Sequence, residues 1–110
     1  MSENVKLSYH DCDVHTFENH KNIINIGLSQ VGYGNKLVNV NIVISNPQKT
    51  WVDNTIASIW RMPGNDGEIL TLSISDEMVL AIIEWSQYPP FRHYTMSYKI
   101  YGGTVDIRIV

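Results

Sequence analysis

The densest group of side chains able to bind or react lies near the start of the chain. It is His10-Asp11-Cys12-Asp13-Val14-His15, with His20 just beyond. On an extended strand alternate residues share a face, so His10 and Cys12 form one set and Asp11, Asp13 and His15 the other. Two carboxylates and an imidazole are ligands for a divalent cation. Yet the chain has one cysteine and no Cys-x-x-Cys pair, so the spacing fits none of the zinc patterns. The plainer reading is an acidic, partly solvated strand with Cys12 packed as a small hydrophobe. A Cys12 nucleophile served by His10 or His93 meets an electrostatic objection. Asp11 and Asp13 flank the thiol and disfavour its thiolate. There is no G-x-G-x-x-G, no Walker pattern and no G-x-S-x-G elbow, so neither a nucleotide cradle nor an esterase nucleophile is indicated. The expectation is a protein that is not an enzyme and carries no metal or cofactor.

Charge points to a partner instead. The net charge is −3, and Glu3, Asp11, Asp13 and Glu18 against Lys6 account for all of it within residues 1–20. The basic residues are scattered without a run, which argues against nucleic acid or an anionic membrane surface. A charged partner would be basic. The second half is rich in rings, including Trp51, Trp60, Trp85, Tyr94, Tyr98 and Tyr101, most of them expected in the core. The segment Tyr88-Pro89-Pro90-Phe91-Arg92-His93 differs. It is a loop carrying two rings, an arginine and a histidine, residue types that anchor protein interfaces.

These residues need a scaffold. With 110 residues, 44% hydrophobic and 17% charged, the chain suits one globular domain spanning 1–110. No apolar run approaches the ~20 residues of a bilayer span. The first residues lack a basic and an apolar region of a signal peptide, and the lone cysteine fits a reducing compartment, so the cytoplasm is expected.

Residues 5–45 read as a three-strand antiparallel meander. Val5, Leu7 and Tyr9 alternate on one side, Cys12 and Val14 on the other, with a break near His10–Asp11. Asn19-His20-Lys21-Asn22 and Gly32-Tyr33-Gly34-Asn35 are turns. Val38, Val40, Ile42 and Ile44 line one face of the third strand, with Asn39, Asn41 and Ser45 opposite. Residues 48–74 are ambiguous, since Val52, Ile56, Ile59 and Trp60 fit a helical stripe after a Thr50 cap as well as a hairpin. The turn Pro63-Gly64-Asn65-Asp66-Gly67 favours strands over 55–62 and 68–74.

Ser75-Asp76-Glu77 reads as a helix start, and Met78 to Ile83 as its buried body, ended by Pro89-Pro90. Tyr94, Met96, Tyr98 and Ile100, then Val105, Ile107 and Ile109, alternate around Gly102-Gly103 as a C-terminal hairpin. The expected fold is α+β: an antiparallel sheet of about six strands with one main helix, 75–87, packed on one face.

The length, the early Tyr9-His10-Asp11 strand, the asparagine-rich meander and the acidic balance together resemble the small bacterial immunity proteins of polymorphic and contact-dependent growth inhibition systems. That broad class has no diagnostic motif, and no functional residue carries over by position. The resemblance implies a stoichiometric antitoxin that neutralises a cognate toxin domain, often a basic nuclease. In physical terms Asp11, Asp13 and Glu18 would meet the partner's lysines and arginines. Tyr33, Tyr88, Phe91 and Arg92 would add desolvated contacts. Two other readings stand beside it. One is a small-ligand or enzymatic domain in which His93 converges on Cys12 or Asp11. The other is a homodimeric module that pairs edge strands through Thr104–Val110.

Overall fold

The computed structural model describes residues 7–57, 62–64, 66–87 and 92–110. These form strands only: β1 (Leu7–Ser8), β2 (Asp13–His20), β3 (Ile23–Tyr33), β4 (Lys36–Ser45), β5 (Lys49–Val52), β6 (Thr55–Ile56), β7 (Asp66–Ile74), β8 (Met78–Gln87), β9 (Arg92–Tyr101) and β10 (Thr104–Ile109). The fold is all-β, and the expected α+β class is wrong.

The stretch expected as helix 75–87 is the central strand β8, hydrogen-bonded between β7 and β9. Val79, Ala81, Ile83 and Trp85 are buried, while Leu80, Ile82 and Glu84 are half-buried on the other face. A strand covered on one side and flanked by two others can be apolar on both faces, which hides its alternation. Valine and isoleucine also favour a pleated surface. Ser75 does not cap a helix. Its hydroxyl donates to the Met78 carbonyl at 3.0 Å, and the Met78 amide donates back to it at 3.2 Å, closing the β7–β8 turn. Pro89-Pro90 and residues 58–61 lie outside the described residues. Thr50 likewise caps nothing. It sits in β5, and its hydroxyl donates to Ala57 across the β5–β6 hairpin.

All pairings are antiparallel, in the order β10-β4-β3-β2-β7-β8-β9-β5-β6, with β1 added to the far end of β3. The meander expected over 5–45 is present as β2-β3-β4. Its first turn is tight, with Lys21 and Asn22 at φ of 52° and 61°. The sheet is hinged at β2–β7, where pairing lasts only from Asp13–Glu68 to Val14–Gly67. Beyond that seam the two halves separate and stack. Phe17 of β2 meets the rings of Trp85 on β8 at 5.6 Å and Tyr98 on β9 at 4.5 Å, edge to face. The isoleucines and valines of β3 and β4 close over the same centre, with Ile24, Ile26, Leu28, Val40, Ile42 and Ile44 fully buried.

The C-terminal hairpin is also absent. β9 pairs with β8 and β5, whereas β10 crosses to the other half and pairs with β4. Gly102 and Gly103 have φ of 77° and 87° and carry this crossing rather than a two-residue turn. The crossing runs beside the β4–β5 connection, so a Cβ on Gly103 would lie 2.7 Å from the Ser45 carbonyl oxygen. Both the backbone conformation and the close approach require glycine there. Gly103→Ala should therefore lower unfolding stability by about 1–3 kcal/mol in a denaturant titration, an effect absent from alanine substitution at exposed Thr104.

Candidate functional site

The site follows from the seam. Antiparallel partners point to the same face, so one rung of the β2–β7–β8 ladder faces inward and the next outward. The inward rung is Val14–Gly67–Trp85, and a Cβ on Gly67 would lie 2.5 Å from the Trp85 ring. The outward rung is Asp13–Glu68–Glu84. Carboxylates thus stand side by side on three adjacent strands. They line an open concavity of about 590 Å³ together with His15, Asp66 and Ser86. Among the described residues no lysine or arginine lines it, and the ion pairs lie elsewhere or within His10–Asp11.

Asp11 completes the group from the β1–β2 turn. Its φ is 64°, and its amide donates to the Ile69 carbonyl at 2.9 Å while the Ile69 amide donates to the Cys12 carbonyl at 2.9 Å. These bonds pin the turn against β7, beside Glu68. The Asp11 carboxyl pushes the Glu68 carboxyl above the usual glutamate range, first through a hydrogen bond that only the protonated acid can make. Partial burial and the charges of Asp11, Glu84 and Asp13 act in the same direction. Like charges directly opposite one another on a sheet are destabilising, so this rung holds repulsion that the fold tolerates.

The candidates named from sequence are only partly brought together. Asp11 and Asp13 join the acidic rung, both exposed. Glu18 is exposed on the same strand, but opposite Asn25 and roughly 16 Å along it. Tyr33 ends β3, half-buried, and pairs with Leu7 of β1 rather than with β2. Arg92 opens β9 opposite Gln87 and is exposed. Tyr88 and Phe91 lie outside the described residues. Sequence reasoning missed Asp66, Glu68 and Glu84. Glu84 was legible as the polar member of an alternating strand, had 78–87 been read with period two.

The reactive readings find little support in the geometry. Cys12 is 0% exposed, and burial, then Asp13, pushes its thiol up to about 12. It does not share a solvent face with exposed His10, whose Nδ1 lies 3.1 Å from the Leu70 carbonyl and whose Nε2 lies 3.4 Å from Asp11. His93 instead hydrogen-bonds Ser86 at 3.0 Å across β8 and β9. Ser86 of that pair lines the same open concavity as Glu68 and Glu84, so His93 is directed to the acidic face and not to Cys12. Among the described residues no three His, Cys, Asp or Glu side chains are placed to hold a metal ion. Among the described residues no helix is long and apolar enough to cross a membrane.

Comparison with family models, curated proteins and solved structures finds no match for this chain.

Two outcomes follow. Glu68→Gln should raise the midpoint of thermal unfolding at pH 7 by a few degrees, because it removes a like-charge contact. The folded-state pKa of Glu68 is raised, so its contribution is fully favourable below the ordinary glutamate range and is lost as pH rises through the raised value. The gap between variant and parent should therefore shrink on acidification toward that range, read by calorimetry at stepped pH. Cys12 should react with a disulfide reagent only as fast as the protein unfolds, so that denaturant accelerates labelling and modest alkalinity does not.

Proposed function

We propose that this protein binds a basic protein partner through the acidic face of β2, β7 and β8, in the manner of an immunity protein that neutralises a cognate toxin. One observation carries the reading: the Asp13–Glu68–Glu84 rung, flanked by Asp11 and Asp66, with no lysine or arginine among the described residues lining it. A partner's lysines and arginines would relieve repulsion that the free protein holds. Such relief adds to the attraction of opposite charges and raises the association rate. A nuclease toxin suits this face, because a surface built for phosphate is itself basic. The exposed Asp11 and Asp13 remain available for the role expected of them. Glu18 stands apart from the rung as a peripheral contact.

The test is co-expression and purification with any toxin-like domain found encoded beside its gene. Affinity is then measured at low and high salt for the parent and for the combined variant Asp13→Asn, Glu68→Gln, Glu84→Gln. Neutralising the rung should slow association about tenfold or more and flatten its salt dependence. Thermal stability should meanwhile rise. Unchanged affinity and unchanged salt dependence in the variant would remove the acidic face from the account.

A further inference from the structure

The opposite end of the sheet carries a second surface. Among the described residues β10 pairs only with β4, so one edge of it is open along Thr104–Ile109. The other end of the sheet is the short strand β6. Long open edges are usually blunted by unmatched charge. Here the inward side chains of β10 are apolar yet reach past the cover of the other half: Ile107 is 40% exposed and Ile109 48%. Below them a groove of about 440 Å³ runs along Ile74, Gly103, Val105 and Ile107.

The order of residues on this edge matches itself. Read outward from Ile107, the chain gives Asp106 on one side and Arg108 on the other, then Val105 and Ile109. We propose that β10 pairs with β10 of a second copy of this chain, antiparallel about a twofold axis at Ile107, joining the two sheets edge to edge. In that register Asp106 lies opposite the partner's Arg108, Ile107 opposite the partner's Ile107, and Val105 opposite the partner's Ile109. The Arg108 Nε that now contacts its own Asp106 at 2.6 Å then lies between two carboxylates. The apolar side chains continue as one stripe from β4 across both β10 strands.

The hydrogen-bond phase agrees. The Val110 amide donates to the Asn39 carbonyl at 2.9 Å. Even-numbered residues of β10 therefore direct their amides and carbonyls at β4, and Val105, Ile107 and Ile109 direct theirs at the open edge. A twofold axis at Ile107 brings those groups into mutual register. Moving the axis to Asp106 or Arg108 sets like charges against each other. Moving it by half a residue sets apolar side chains against charged ones.

Sedimentation velocity on the full chain over a concentration series tests this. The expected result is a reversible dimer of twice 12.6 kDa. Asp106→Lys and Arg108→Glu should each weaken it by roughly tenfold, and the two together should restore it. Ile107→Pro should abolish it while leaving circular dichroism unchanged, because the lost amide faces away from β4. A monomer at every concentration overturns the proposal. So does a dimer indifferent to the single charge reversals, a charge swap that fails to restore it, or a dimer that survives Ile107→Pro.

Discussion

The structure depends on the short pairing of β2 with β7. Among the described residues the strand pairing that joins the two halves of the sheet runs only from Asp13–Glu68 to Val14–Gly67, extended by the backbone bonds of Asp11 and Cys12 to Ile69. The inward rung closes the core: Gly67 leaves room for the Trp85 ring, which packs on Phe17 and donates its Nε1 hydrogen to the Tyr98 hydroxyl at 2.8 Å. That bond satisfies a buried indole and a buried phenol together. Because adjacent rungs face opposite sides, the register that seats Trp85 also forces Asp13, Glu68 and Glu84 into one row. Sliding the strands by one residue would separate the carboxylates only by turning the tryptophan out to water. The acidic face is thus tied to the core and cannot be relaxed by itself.

The proposed binding role rests on how this surface is held. Scattered surface carboxylates keep their distance and their ordinary titration. Here Glu68 is displaced upward by its neighbours, and the turn that brings Asp11 to it adopts a left-handed conformation at a non-glycine residue. Both are costs borne by the free chain. Under the proposed function a cationic partner would offset the first, and the proposed pairing of two β10 edges would leave this face open.

How much of this was legible beforehand varies by segment. The meander was readable because Val40, Ile42 and Ile44 alternate with asparagines, and because Lys21-Asn22 and Gly34-Asn35 carry turn chemistry. The break at His10–Asp11 was readable from the side-switch between Tyr9 and Cys12. Strand β8 was not, because Leu80 and Ile82 are apolar on its second face, and Ser75 bonds in a hairpin turn much as it would at a helix start. The partners of β10 were not legible either: Gly102-Gly103 permits a tight hairpin and a crossing alike, and tertiary pairing with β4 decides. Asp11 and Asp13 were recognised as a charged surface from composition alone. Glu68 and Glu84 could not join them without the register, since one had been placed on a separate strand and the other on a helix.

The central claim is that the outward rung is a row of carboxylates with no compensating cation among the described residues. Carbon-detected magnetic resonance of the Glu68 carboxyl, followed through an acid titration of the free protein, addresses it most directly. A midpoint above that of an ordinary glutamate, moving down when Asp11 is replaced by asparagine, is the predicted result. A midpoint at or below the ordinary value would mean that a cation already neutralises the row, and would contradict the account.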